Sequence, residues 1–239
     1  MTSIDREKRA IREAVWTRLE ESDAVSGSVH GKIPDFVGAE AAAARLADLE
    51  VWKRAHIVKI VPDRPQESVR ARALADGKIV YMAVPKLAAE EPFLVLDPRV
   101  LGVSPAEAAD RETAMRLGRL AALEDLTRGD LVVCGSVAVD RRGARLGKGA
   151  GYADIEVALL TAAGLLTADT PITTTVHDLQ VVEDELPELG HDFSLDFVVT
   201  PSRVITCGPS RRPGGVDWET MPSDKIEAIP VLKRLASLR

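Results

Sequence analysis

The chain has 239 residues, of which 46% are hydrophobic, and its formal net charge is -6. This length suits one large α/β domain or two small ones, and we expect residues 1–239 to form a single domain because no long linker or repeat divides the chain. The negative charge argues against bulk nucleic-acid binding and against an anionic membrane surface, so an anionic ligand would require a local basic cluster.

The N-terminal segment has a charged, helical pattern without an apolar leader, and no stretch approaches the roughly 18 apolar residues of a membrane span. The two cysteines, Cys134 and Cys207, lie in separate apolar runs, which indicates buried thiols rather than a disulfide framework. We therefore expect a soluble cytoplasmic protein, either a monomer or a small homo-oligomer, without nucleic-acid or membrane partners.

An apolar stripe predicts the first helix, over residues 4–21. Ile11 and Val15 recur one turn apart on this stripe, while Lys8 and Arg12 share a neighbouring face. The first helix should therefore bury one side and present a pair of cations on another.

Helical and strand-like patterns alternate through the rest of the chain. Further helices are predicted over residues 39–49, 64–76, 104–122, 152–164 and 224–238, the last broken or bent at Pro230. Strands are predicted over residues 55–62, 78–85, 93–98, 130–140 and 172–178, and residues 196–208 form one strand or a hairpin. This alternation predicts a three-layer α/β/α fold with a mostly parallel sheet.

Residues 141–151 form a glycine-rich segment between a predicted strand and a predicted helix. The sequence from Arg145 to Asp154, RLGKGAGYAD, spaces three glycines two residues apart and includes Lys148. Glycine lets backbone N–H groups turn toward a ligand, and the next helix directs its positive end into the same space. The segment is therefore an anion site or a solvated turn, and its place after a strand favours the anion site.

Two familiar phosphate-binding patterns do not fit this segment. A P-loop requires G-x-x-x-x-G-K-[ST] and the Rossmann fingerprint requires G-x-G-x-x-G, whereas the spacing here is G-x-G-x-G. Asp154 is suitably placed to hold a magnesium ion that a polyphosphate would bring.

The stretch Gly143–Asp154 resembles the hallmark of the 5-formyltetrahydrofolate cyclo-ligase family, also called methenyltetrahydrofolate synthetases. That hallmark is G-x-R-L-G-x-G-x-G-Y-Y-D, and eleven of its twelve positions match. The family also has a K-x-x-x-R pair on its first helix, as at Lys8 and Arg12. Its C-terminal pattern is matched by Gln180, Leu186-Pro187, His191-Asp192 and Asp196. The phrases HGKIPDFVGA and HDFSLDFVVTPSRVI are more similar still to a subgroup, the methenyltetrahydrofolate synthase domain-containing proteins.

The resemblance implies an ATP-dependent reaction on a reduced folate, with Mg²⁺ as the metal. The N5-formyl oxygen of 5-formyltetrahydrofolate is phosphorylated, N10 attacks the activated carbon, and 5,10-methenyltetrahydrofolate forms. In such phosphoryl transfer the protein mainly positions the reactants and neutralises charge. The implied ATP-site residues are Lys8, Arg12, Gly147, Lys148, Gly149, Ala150, Gly151 and Tyr152.

The resemblance also implies individual roles. Lys148 and Arg145 are the implied catalytic residues, with Lys148 between ATP and the substrate and Arg145 ordering the loop or meeting phosphate. The remaining implied roles are substrate contact by Asp63 and Tyr152 and magnesium binding by Asp154 and Asp192.

Three departures from the family pattern fall on the folate side. Ala153 replaces the second Tyr of Y-Y-D, Asp63 replaces a folate-contacting Glu, and residues 86–103 lack the family's segment ending in G-I-x-E-P. Two alternatives follow. One is a non-catalytic nucleotide- or folate-binding regulatory module, and the other is an ATP-dependent enzyme acting on a different formylated or heterocyclic substrate.

Two further groups of polar residues have simpler interpretations. His177-Asp178 is expected to be a strand-end capping pair rather than an acid/base pair. Arg211-Arg212 is expected to be a solvated loop tip, with contact to a polyglutamate tail as the alternative.

Overall fold

A computed structural model describes residues 2–239 and shows an α/β fold. The strands are β1 (Ile57–Ile60), β2 (Ile79–Ala83), β3 (Phe93–Leu96), β4 (Arg119–Ala121), β5 (Leu131–Cys134), β6 (Ala138–Val139), β7 (Arg145–Leu146), β8 (Ile172–Thr175), β9 (Phe197–Val199) and β10 (Val204–Thr206). The helices are α1 (Ser3–Glu21), α2 (Ala39–Ala47), α3 (Glu50–Arg54), α4 (Glu67–Ala75), α5 (Pro105–Ala109), α6 (Arg111–Leu117), α7 (Tyr152–Ala162), α8 (Ser223–Ala228) and α9 (Pro230–Ala236).

Eight of the strands form one sheet in the order β10-β9-β8-β5-β1-β2-β3-β4, and β6 pairs with β7 in a separate hairpin. The central strands β9, β8, β5, β1 and β2 are parallel, whereas β10, β3 and β4 join antiparallel at the two edges. The carboxyl ends of the parallel strands therefore meet along one edge of the sheet. The predicted α/β fold with a mostly parallel sheet is confirmed.

Apolar layers cover both faces of the sheet because β1, β2, β5 and β9 are mostly apolar, although β8 carries three buried threonines. Every residue of β5 is buried, as expected for a parallel strand covered on both sides. Val132 belongs to a cluster that includes Leu159 of α7, whereas Val133 points to a cluster that includes Leu46 of α2. Alternate residues of one strand thus stabilise the two helical layers.

The predicted helix over residues 104–122 is divided in the structure. Ser104 starts it with the expected capping box, accepting from the Glu107 N–H, but α5 ends at Ala109. Asp110 then caps α6 by accepting from the Thr113 N–H at 2.8 Å, and Gly118 ends that helix before β4. The prediction of one helix was wrong because a second capping residue lies inside the segment.

The predicted strand over residues 130–140 is also divided. β5 ends at Cys134, and after Gly135 and Ser136 the chain enters the β6–β7 hairpin, which sequence analysis did not predict. Residues 196–208 contain the β9–β10 hairpin, which was one of the two predicted alternatives, and the closing helix breaks at Pro230 as predicted. Helix α3 was not predicted. Across residues 2–239, none of the helices combines the length and apolarity that a bilayer crossing requires.

Candidate active site

A cavity of about 440 Å³ lies where the carboxyl ends of β1, β2 and β5 meet. This is the edge at which parallel α/β sheets bind ligands, since loops there lead into helices. The structure places all of the predicted site residues around this one cavity: Lys8, Arg12, Asp63, Arg145, Gly147, Lys148, Gly149, Ala150, Gly151, Tyr152, Asp154 and Asp192. The first helix and the glycine-rich segment, far apart in sequence, therefore share one site.

Helix α1 presents Lys8 and Arg12 to the cavity, one turn apart on the same face. The Lys8 ammonium donates a hydrogen bond to the Asp192 carboxylate, and Arg12 Nε donates to the Gly147 carbonyl oxygen at 2.6 Å. Burial lowers the pKa of Arg12, and the neighbouring Arg145 guanidinium lowers it further. Helix α1 is thus bound directly to the glycine-rich segment.

Gly149 and Gly151 are favoured in the glycine-rich segment by backbone conformation, and Gly147 by lack of space. Gly149 and Gly151 have φ angles of 96° and 73°, in the left-handed region that favours glycine. A Cβ atom at Gly147 would lie 2.6 Å from Arg145 Nη2, and one at Gly149 would lie 3.6 Å from the Arg12 guanidinium. Gly151 is the N-cap of α7 and provides no side-chain cap, which leaves first-turn N–H groups available to a ligand.

Arg145 lies beneath the glycine-rich segment and is almost completely buried. Its guanidinium donates to Asp154 Oδ1 at 3.2 Å and to the Gly135 carbonyl at 3.3 Å, and it lies 4.5 Å above the Phe193 ring. Burial acts to lower the pKa of Arg145, but nearby anionic groups, led by Asp154, outweigh it and raise the pKa above its usual value. Arg145 therefore remains a cation, and its contacts order the segment.

Lys148 connects two walls of the cavity. Its Nζ atom donates to Asp63 Oδ1 at 2.9 Å, and its side chain is still 42% exposed. The backbone of Asp63 is held by Arg70, which also donates to the carbonyls of Val61 and Ala109. Burial lowers the pKa of Arg70 to about 10, so Arg70 stays charged at neutral pH. Lys148 is accessible, whereas the backbone of its partner Asp63 is held in place.

Asp154 and Asp192 both line the cavity, and each is already paired with a cation, Arg145 and Lys8 respectively. No group of three or more His, Cys, Asp or Glu side chains within residues 2–239 is arranged to hold a metal ion. Mg²⁺ commonly binds through one or two carboxylates together with water and substrate phosphates. These residues therefore fit a magnesium ion that arrives with a polyphosphate, rather than one held in a protein cage.

One charged pair at the site was not predicted. Lys59 of β1 and Glu156 of α7 form a hydrogen-bonded ion pair, with the residues 1% and 6% exposed, and Glu156 lines the cavity. Each residue is the one charge inside an apolar run, IVKIV and IEVALL. This pattern could have predicted the ion pair from the sequence, because a buried charge requires a partner of opposite charge.

The expectation of a solvated loop tip was wrong for Arg212, which is largely buried, whereas Arg211 is exposed but paired. Arg212 forms an ion pair with Asp196 and donates to the Ser194 carbonyl at 2.6 Å, and Arg211 pairs with Glu188 at 2.6 Å. Arg212 therefore fastens the 209–215 segment to the residues just before β9, and Arg211 links it to the loop at Glu188.

The interpretation of His177 and Asp178 as a capping pair is confirmed. His177 Nδ1 accepts from the Leu179 N–H at 3.2 Å, while Asp178 accepts from the hydroxyls of Thr200 and Ser202. Burial lowers the pKa of His177. Neither residue lines the cavity.

Comparison with known proteins agrees with this architecture. A family model described as the 5-formyltetrahydrofolate cyclo-ligase family matches residues 4–201. The methenyltetrahydrofolate synthase domain-containing proteins of Homo sapiens and Mus musculus are each 36% identical over 95% of this chain. The chain spans 61% and 63% of the lengths of these two relatives.

A solved structure also shares the fold. The NMR structure of Aquifex aeolicus 5,10-methenyltetrahydrofolate synthetase superimposes with a TM-score of 0.54 at 20% identity, covering 85% of this chain and 94% of that one. Because the family model covers most of the chain, the predicted resemblance is confirmed, and this chain belongs to the 5-formyltetrahydrofolate cyclo-ligase family.

Proposed function

We propose that this protein catalyses the ATP- and magnesium-dependent ring closure of 5-formyltetrahydrofolate to 5,10-methenyltetrahydrofolate. The observation that carries the proposal is the meeting of Arg12, from α1, with the Gly147 carbonyl of the glycine-rich segment at the rim of one cavity. Family membership supports the reaction type, and the cavity volume lies within the usual range for small-molecule sites.

The glycine-rich side of the cavity fits a triphosphate. Lys8, Arg12 and Lys148 supply positive charge, and the left-handed glycines Gly149 and Gly151 let the backbone approach a ligand closely. The N-terminus of α7 adds its positive end at the same place. ATP, when bound, supplies the phosphoryl group that converts the formyl oxygen into a phosphate leaving group, and Asp154 and Asp192 would hold the accompanying magnesium.

Lys148 provides the mobile charge of the site. Its ammonium donates to Asp63, and its partial exposure leaves it free to move toward phosphoryl oxygens. A cation placed where negative charge develops stabilises the transition state more than the ground state. Asp63 can then accept hydrogen bonds from N–H groups of the substrate, and Arg145 keeps the loop in position from below.

A second candidate retains the ATP chemistry but changes the substrate. Asp63 and Ala153, which depart from the family pattern, both line the cavity. Both departures concern the folate side of the site rather than the phosphate side. A shorter carboxylate and a smaller side chain could suit a different formylated or heterocyclic compound.

The test is an assay of purified protein with ATP, Mg²⁺ and 5-formyltetrahydrofolate, following methenyltetrahydrofolate absorbance and phosphate release together. We expect product only when both ATP and Mg²⁺ are present. Phosphate release with other formylated compounds, but not with this one, would favour the second candidate. No ATP-dependent product and no phosphate release, despite calorimetric binding of ATP–magnesium, would leave a non-catalytic binding module.

A further inference from the structure

Six cationic side chains line the cavity, and they fall into two groups. Lys8, Arg12, Arg145 and Lys148 all bind protein carboxylates or carbonyls, as described above. Lys86 and Arg111 are different, because neither forms a hydrogen bond or ion pair with any protein group among residues 2–239. Two cations at a ligand cavity thus lack a protein partner.

These two cations lie on the other side of the cavity from the glycine-rich segment. Lys86 follows the carboxyl end of β2, and Arg111 begins α6, which packs against β3. The glycine-rich segment instead follows β7, and Arg145 at its start contacts the Gly135 carbonyl beyond the carboxyl end of β5, two strands away across β1. Neighbouring strands are about 4.8 Å apart, so the two sites of positive charge are separated by roughly 10 Å, with Asp63 between them.

The backbone at Lys86 is in an unfavourable conformation. Lys86 and Leu87 have φ angles of 59° and 53°, in the left-handed region that residues with a Cβ rarely adopt. The Leu87 side chain is fully buried and holds this turn in place, whereas Lys86 is exposed at the cavity. Such strain persists where the surrounding structure enforces it, and it concentrates at ligand sites.

We propose that Lys86 and Arg111 form a carboxylate-binding subsite for the anionic tail of the second substrate. The inference rests on the proposed function, in which that substrate is 5-formyltetrahydrofolate, whose glutamate end carries carboxylates. With phosphates at the glycine-rich segment and the formyl group between Lys148 and Asp63, the tail extends toward β2. Arg211 and Arg212 are unsuitable for this role because neither lines the cavity.

The first experiment compares Lys86→Met, Arg111→Met and the double variant with wild type. Each lost charge-assisted hydrogen bond should raise the KM for 5-formyltetrahydrofolate about 10-fold, while kcat and the KM for ATP stay within a factor of two. Arg116→Met is the matched control, because Arg116 is an exposed cation on the same helix that does not line the cavity. Lys86→Gly relieves the left-handed backbone while removing the charge, so it should fold at least as stably as wild type and still show the higher KM.

The second experiment measures binding without turnover, by calorimetry with 5-formyltetrahydrofolate and with 5-formyltetrahydropterin, which lacks the carboxylate tail. Wild type should bind the tailless compound more weakly, and the double variant should bind both compounds equally weakly. If the protein turns over 5-formyltetrahydrofolate but neither the variants nor removal of the tail changes the KM, the inference alone is overturned. If the protein shows no turnover but binds the substrate through its tail, and the double variant abolishes that binding, the proposed function alone is overturned. No wild-type binding of either compound overturns both.

Discussion

The two sides of the cavity differ in how their charges are satisfied. On the β5 side, Lys8 is paired with Asp192 and Arg145 with Asp154. On the β2 side, Lys86 has no partner among the described residues and lies on an unfavourable backbone conformation. On the β5 side the charges are therefore balanced by protein groups, whereas on the β2 side they are balanced by a ligand. Mutations should accordingly affect stability on the first side and affinity on the second.

The largest expected effect tests whether the β5 side of the cavity, where the charges are paired and which we call the paired side, determines the free energy of unfolding. Lys59→Met leaves Glu156 as an unpaired buried charge and should lower the free energy of unfolding by roughly 3–5 kcal/mol. Replacing both residues, in Lys59→Met with Glu156→Met, should recover most of that loss. Urea unfolding of the two variants measures this, with Lys86→Met as the matched comparison on the β2 side. Equal destabilisation by Lys86→Met would abolish the distinction between the two sides.

The next effect concerns the residue that connects the two sides. Lys148→Ala removes a mobile cation from between the substrates and should lower kcat by about 10²–10³-fold, or roughly 3 kcal/mol in the transition state. The free energy of unfolding should change little, because the pair with Asp63 is partly exposed. Steady-state kinetics gives the first quantity, and Lys53→Ala, at an exposed pair with Glu50, is the control. An activity loss below threefold would contradict the assigned role.

A smaller effect is expected from filling space on the paired side. Gly147→Ala places a methyl group 2.6 Å from Arg145 Nη2, and moving Arg145 would disturb its bonds to Asp154 and Gly135. We expect a loss of stability of about 1–3 kcal/mol, together with weaker ATP binding. Thermal unfolding with and without ATP–magnesium measures both. Gly190→Ala is the control, since nothing lies within 4 Å of its Cβ position; a similar loss there would rule out the steric explanation.

The smallest expected effect lies outside the cavity and concerns how the free energy of unfolding depends on pH. Burial lowers the pKa of His177 below its unfolded value near 6.5, so the unfolded chain binds the proton more readily. The stability due to neutral His177 is therefore present above pH 6.5 and is lost as the pH falls through the lowered pKa. Asn at this position can still accept from the Leu179 N–H but does not titrate, so His177→Asn should lose less stability than wild type between pH 7 and pH 5. Urea titrations at both pH values check this, and parallel losses would show that His177 does not contribute.

The sequence predicted the fold and the paired side well because the determining interactions are local or backbone-directed. A short apolar run such as β5, bounded by turn residues and rich in Val, indicates a buried strand, and glycines permit the left-handed conformations found at Gly149 and Gly151. The pair Lys8 and Arg12 was found through family resemblance, and α1 does bind the segment as that resemblance implied.

What the sequence did not predict depends on partners distant along the chain. Lys59 and Glu156 meet only because β1 and α7 pack together, and Arg212 reaches Asp196 only through the path of its loop. The division of residues 104–122 depended on competition between two capping residues, Ser104 and Asp110, which periodicity alone does not resolve.

The β6–β7 hairpin restricts the glycine-rich segment before any ligand arrives. Within it, the Asp140 carboxylate accepts from the N–H groups of Arg142 and Ala144, and the Leu195 N–H donates to the Gly143 carbonyl at 2.8 Å. The conformational entropy of residues 140–144 is therefore lost during folding and not during association. Less of a ligand's contact energy would then be spent on ordering the start of the glycine-rich segment.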